Sequence, residues 1–269
     1  MKNKKLLIII AVVVAVIALI VILAVTFSVR QAEVLFFSQD GSKYIIPDAD
    51  VGAPSANDVL SFAKGKSVFG LNKTGLMNSL NKKYHNFVAV GVTVGFPNKV
   101  TVYFVGSEVC AKIATATTEV YVDRFGKVAE QKEGVACVDI TTAFSSLSVE
   151  TPTVGMPLTF TNSSDNQRLQ EVLTAISAMW RCYVDYSKMP SVFGESGVFK
   201  YDTSGNLMIS VKNTATIVIK SPSDGMDLSE RVIRGLSVYF KSEDNLATSG
   251  VVISVSKEGR VTTADNSAN

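Results

Sequence analysis

Apolar residues in this chain first crowd together and then alternate. From Leu6 to Phe27 there are 22 residues without a charge, and Thr26 is their one polar side chain. Rising about 1.5 Å per residue, such a helix is roughly 33 Å long, enough for a hydrocarbon core of about 30 Å. The run therefore predicts a single transmembrane helix over 6–27, behind a cytoplasmic tail at 1–5. Beyond it the rhythm changes. "EVLFF", the turn "SQDGS" and "KYII" read as a short hairpin, closed off by Pro47, Asp48 and Asp50. Ser55 with Asp58 three residues on marks a helix start, and Val59, Leu60 and Phe62 form its apolar side. A second helix begins near Asn72 with Leu76, Met77 and Leu80. Then Val88, Val90, Val92 and Val94 alternate with Ala89, Gly91 and Thr93. Past Pro97-Asn98, Val100, Val102 and Phe104 alternate with Thr101, Tyr103 and Val105. Period-two alternation on both sides of a short turn predicts a hairpin. Residues 31–106 thus form a strand–helix–helix–strand–strand unit, with two helices on one face of a small sheet and Val88 to Phe104 packed beneath them.

From 107 to 263 strands dominate. "EVYVDRFGKVAE" (119–130) is a strand, a turn at Arg124-Phe125-Gly126 and a second strand; "VACVDI" (135–140) and "GMPLTF" (155–160) are further strand candidates. Asn162 to Trp180 reads as an amphipathic helix, with Leu169, Val172, Leu173, Ile176 and Met179 on one face. Three strands follow, "GVFKYD", "NLMISVK" and "ATIVIKS", with turns at Ser204-Gly205-Asn206 and at Asn213. A last helix spans 227–240, and "GVVISVSKEGRVTTA" supplies two final strands. Residues 264–269 are a polar, disordered tail. The predicted fold class is α+β: one transmembrane helix, a small β-α-α-β-β domain, then a mixed β-sheet domain with two helices.

Charge narrows the function. Lys2, Lys4 and Lys5 precede the apolar run and no acid appears before Glu33, so the positive-inside rule keeps the N-terminus cytoplasmic and sends the bulk outside as a single-pass type II membrane protein. A cleaved secretory signal would carry a shorter core and a small-x-small site, which Phe27-Ser28-Val29-Arg30 does not offer. Without the three lysines, 23 basic residues face 24 acidic ones, a balance that argues against a nucleic-acid partner. Cys110, Cys137 and Cys182 form no CxxC pair; they read as small buried hydrophobes, or Cys110 and Cys137 as a disulfide. His85 is the one histidine and sits in a lysine-rich turn, which leaves neither a metal set nor a nucleophile–base–orienter triad. No catalytic residue, cofactor site or small-molecule substrate is expected.

Taken together, the order of elements resembles the bitopic bacterial cell-division family called FtsQ or DivIB. "LNKTGLMNSLNKKYHNFVAVGVTVGFPNKVTVYFV" is similar to the second helix and closing hairpin of that family's polypeptide-transport-associated (POTRA) domain. Phe96-Pro97-Asn98 stands at the aromatic-Pro turn, and Ala111 at the alanine after the hairpin. "YVDRFGKV" resembles the strand pair opening the family's β domain, with Asp123 and Gly126 in the aspartate and glycine places, and "TPTVGMPL" its proline-glycine segment. Gly106, Ser107 and Val109 stand where the family often carries a Glu-Arg pair and a proline. The resemblance implies a POTRA domain over 31–106 and a partner-binding β domain over 107–263. It also implies a non-enzymatic scaffold at the division septum, bound to FtsB/DivIC-like and FtsL-like single-pass proteins and through them to the septal peptidoglycan synthase. A POTRA-bearing secretion or envelope-assembly protein is the alternative. In the family the last strand of the β domain accepts a partner strand. The matching stretch here is Gly259, Arg260, Val261, Thr262 and Thr263, which is either such a docking edge or an inert edge guarded by the tail.

Overall fold

The computed structural model describes residues 2–38, 44–45, 52–115, 117–130, 136–182, 188–212, 215–241 and 250–265, and side chains of the first helix from Ile10 onward. All but Ser38 of the turn expected at 38–42, its closure at Pro47, Asp48 and Asp50, the turn at Asn213 and residues 266–269 of the expected tail lie outside these residues. Two compact units divide the chain, Met1–Gly106 and Ser107–Asn269.

In the N-terminal unit, helix α1 (Lys2–Thr26) leads. No helix among the described residues is long and apolar enough to cross a membrane. The transmembrane helix expected over 6–27 is corrected accordingly, and the fold is α+β with mixed sheets.

Next come strands β1 (Gln31–Phe37) and β2 (Tyr44–Ile45), helices α2 (Ala56–Ala63) and α3 (Lys73–Lys83), and strands β3 (Phe87–Gly95) and β4 (Lys99–Gly106). The sheet order is β2-β1-β4-β3; β4 lies parallel to β1 and antiparallel to β3. Both helix starts are where capping chemistry places them. Ser55 accepts from the Asp58 N–H, and Asp58 accepts from the Ser55 N–H, completing a capping box. Asn72 accepts from the Gly75 N–H at 2.8 Å. Asp58 also meets the Lys83 ammonium at 2.6 Å, which ties the start of α2 to the end of α3. That contact, with the Ser55 bond, holds the Asp58 carboxyl well below the usual carboxylate range.

The hairpin departs from simple alternation. A bulge between Ala89 and Gly91 shifts the β3–β4 register by one residue. Phe87 and Ala89 therefore share the core face with Val92 and Val94, while Val90 turns out to solvent, 42% exposed. One extra residue in a strand swaps every later side chain to the opposite face. The core face holds Val100, Val102 and Phe104 under Leu76, Leu80, Val59 and Ala63 of the two helices. Val88, expected among them, instead pairs with Val105 across the ladder, outside that cluster.

Two sheets form the C-terminal unit rather than one. Strands β5 (Val109–Ala114), β6 (Glu119–Asp123), β7 (Val128–Ala129) and β8 (Val138–Asp139) run in the order β7-β6-β5-β8. Strands β9 (Phe199–Tyr201), β10 (Leu207–Val211), β11 (Ala215–Ile219), β12 (Val251–Val255) and β13 (Val261–Asp265) run in the order β13-β12-β11-β10-β9. Helices α4 (Ser163–Cys182) and α6 (Leu228–Lys241) pack with both sheets in one core, joined by the short, unexpected α5 (Met189–Phe193). Residues 155–160, read as a strand, make only isolated bridges, Lys127 to Pro157 and Val149 to Phe160. Strict alternation buries Leu207, Ile209 and Val211, then Ala215, Ile217 and Ile219, then Val251, Ile253 and Val255. Helix α6 crosses this sheet closely: a Cβ at Gly235 would lie 2.6 Å from Ile217.

Candidate functional site

The β12–β13 hairpin ends the described chain at a sheet edge. Among the described residues β13 has one ladder partner, β12. The loop closes with the Gly259 N–H donating to Ser256 O and the Ser256 N–H donating to Arg260 O, each at 2.9 Å. Gly259 adopts φ +78°, as in a three-residue hairpin loop whose last residue is left-handed. Val255 stands opposite Val261. With the Ser256–Arg260 bond just outside that pair, antiparallel geometry makes it a non-hydrogen-bonded one. Thr262 and Ala264 then turn their backbone groups inward to β12, while Val261 and Thr263 turn theirs to the free side. Thr262, Thr263 and Ala264 are exposed, and Val261 rests partly on the core.

This sorts the five residues singled out in the sequence. Val261, Thr262 and Thr263 are strand, and the strand continues through Ala264 and Asp265, two residues assigned to the tail. Gly259 and Arg260 belong to the turn. Gly259 is also enclosed: a Cβ there would lie 2.5 Å from the Met226 sulfur and 3.0 Å from Arg234 Nη1. That packing leaves no room for a side chain at this turn position.

Residues that sequence reasoning passed over hold the hairpin in place. Arg234 donates to Gly259 O at 3.1 Å and meets Glu230 at 2.7 Å. The Met226 N–H donates to Lys257 O at 2.8 Å. Arg231, fully buried, donates to the carbonyls of Lys220 at 2.7 Å and Pro222 at 2.7 Å, clamping the loop that carries Met226. Two arginines three apart in the first turns of an amphipathic helix were the available signal; the loop groups they hold, backbone carbonyls, leave none.

The other marked residues are scaffolding. Phe96-Pro97-Asn98 forms the β3–β4 turn, with a cis Phe96-Pro97 bond. Asn98 O accepts from the Arg30 and Gln31 N–H groups at 3.0 and 3.2 Å. Asp123, 1% exposed, accepts from the Phe125 and Lys127 N–H groups at 2.9 Å and from the Ser107 hydroxyl at 3.0 Å. Gly126, at φ +75°, lets helix α4 approach; a Cβ there would sit 3.3 Å from Leu173. Cys110 and Cys137 are free, buried thiols.

Burial lowers the Lys127 ammonium to about 8, against the pull of Asp123. Between about 8 and the ordinary 10.5 the folded chain binds fewer protons at Lys127 than the unfolded chain. Lys127 therefore adds stability as pH rises through that window. Burial also raises the Cys110 and Cys137 thiols, Cys137 to about 11. They lose stability as pH rises past the ordinary thiol range, which opposes the lysine. The difference between wild type and Lys127→Met in urea melts isolates the lysine: wild type should gain on the variant from pH 8 upward. A difference flat across pH 8–10.5 would show that Lys127 keeps its ordinary ionisation.

No protein-family model and no curated protein matches this chain.

Proposed function

We propose that this chain is a non-enzymatic scaffold of the bacterial division machinery, of the FtsQ/DivIB kind, acting at the division septum. Its C-terminal unit takes a strand from a small FtsB/DivIC-like partner. Through that partner it meets an FtsL-like protein and the septal peptidoglycan synthase. The observation that carries the reading is the outermost strand β13, whose outward backbone groups at Val261 and Thr263 lack a ladder partner among the described residues. An edge of that kind gives affinity through main-chain hydrogen bonds and needs no pocket or reactive side chain. The clamps from Arg231 and Arg234 support it further, because a preordered edge loses less entropy on pairing.

A fluorescent fusion of the full chain tests the location, and capture from membranes with mass spectrometry tests the partners. Midcell rings and recovery of small single-pass coiled-coil proteins are expected. An even distribution around the envelope with secretion or assembly proteins in the capture would replace this reading by a POTRA-type role in envelope assembly.

A further inference from the structure

Where α1 ends, three phenylalanines from three separate segments meet. Phe27 follows the helix, Phe69 sits in the loop between α2 and α3, and Phe96 is at the β3–β4 turn. Ring centroids are 5.2 Å apart for Phe27–Phe69, 4.9 Å for Phe27–Phe96 and 5.9 Å for Phe69–Phe96. Yet Phe69 and Phe96 are each 72% exposed, more than any other large apolar residue described. Singly exposed apolar residues need no explanation, but three rings gathered at one point do.

Backbone bonds fix the collar. The Phe27 N–H donates to Leu23 O at 3.0 Å, continuing the helix, and the Val68 N–H donates to Phe27 O at 2.8 Å. Val29 exchanges bonds with Lys66 O at 2.8 Å and the Gly65 N–H at 3.0 Å, and the Arg30 N–H reaches Asn98 O at 3.0 Å. The helix exit, the 65–69 loop and the hairpin turn are thus one ordered strip.

Two features show what faces this strip. The collar continues directly into α1, whose large apolar side chains from Ile10 to Val25 are 44–61% exposed. Its other flank is basic: Arg30, Lys64 and Lys66 are exposed, and no acidic residue occurs from Val59 to Ser107. Residues 1–106 carry 11 basic and 5 acidic residues, a formal +6, against 15 and 19, or −4, in 107–269. Near neutrality of the chain hides this split. Aromatic rings between an apolar helix and a cationic flank match the boundary between acyl chains and anionic headgroups.

The geometry points to a lipid-interface site: Phe27, Phe69 and Phe96 seat in the headgroup–acyl boundary of an anionic membrane, with Arg30, Lys64 and Lys66 toward the headgroups. This goes beyond the scaffold role and does not depend on it. It needs of α1 only that its exposed apolar side chains lie on the lipid side.

Tryptophan placed on the collar reports its surroundings. Full-length Phe69→Trp and Phe96→Trp are compared with the unsubstituted chain, whose one tryptophan is Trp180, on phosphatidylcholine–phosphatidylglycerol vesicles. Val90→Trp is the control, exposed on the same sheet and roughly 20 Å along β3 from the turn. The two collar variants should add blue-shifted emission that acyl-brominated lipid quenches, and more strongly with phosphatidylglycerol than with phosphatidylcholine alone. The Val90 variant should add only solvent-like, unquenched emission. Solvent-like collar emission overturns the site, as does a blue shift that bromine does not quench, which would mean a protein contact. Equal quenching without phosphatidylglycerol overturns the anionic preference.

Discussion

Replacing Val102 with aspartate should unfold the N-terminal unit, while the same change at Val90 should leave it intact. Val102 is fully buried at the middle of β4, opposite Val34 of β1 and Val92 of β3. A carboxylate there has no cationic partner within the cluster of apolar side chains around it. Leaving a buried charge uncompensated costs about 3–5 kcal/mol, a large part of the roughly 5–15 kcal/mol that holds a domain together. Val90 lies at the bulge, on the solvent side, where substitutions usually stay within about 0.5 kcal/mol. Simple alternation would put Val90 beside Val92 on one face, so the pair of variants tests the bulge itself. Circular dichroism and limited proteolysis read the outcome. Equal damage from both would refute the register shift; a folded, protease-resistant Val102→Asp would refute the packing.

Proline scanned along β13 should separate binding from folding with a period of two. At Thr263 the N–H faces the free side, so proline there removes a donor that only an incoming strand would use. Folding should be nearly unchanged. Partner affinity should fall roughly 10- to 100-fold, the equivalent of leaving one acceptor unsatisfied at about 1–3 kcal/mol. At Thr262 the N–H faces β12, and proline there should destabilise the hairpin by about 1–3 kcal/mol. Deletion is a poorer probe, since removing Gly259 would also free Arg234 from its carbonyl. Thermal melts and binding titrations on both variants give the answer. If Thr263→Pro binds as well as wild type, β13 is not the docking strand.

Local chemistry was legible in the sequence wherever neighbours along the chain decide the structure. Ser55 and Asp58, Asn72, and the alternation of Leu207–Val211, Ala215–Ile219 and Val251–Val255 all act within a few residues. Departures came from longer range. The bulge at Ala89–Gly91 leaves no composition signal, because valine suits either face of a strand. Strand β5 was missed for a related reason: it starts two residues after β4, has Lys112 near its middle, and itself carries an irregular register between Val109 and Ala111. Residues 155–160 have the apolar content of a strand but fold as a connector. Asp165, in the first turn of α4, is fully buried and accepts from the Ser145 and Ser146 N–H groups at 3.0 Å, partners about 20 residues upstream. The close packing around Gly259 was hidden because its neighbours, Met226 and Arg234, lie about 30 residues upstream.

Strand β4 is one of the two inner members of its sheet and the last to be synthesised. Its mates on β1 are far off in the chain: the Thr101 hydroxyl meets the Glu33 carboxylate across 68 residues. As the chain leaves the ribosome N-terminus first, β1 and β3 have no strand between them until residue 106 has emerged. Helices α2 and α3 can form early, but they have no completed sheet to lie on. Assembly of this unit is therefore a late, single closure dominated by distant contacts, the kind that folds slowly for its size. During that wait the valine-rich 88–94 stretch is the segment most open to mispairing and most in need of a chaperone.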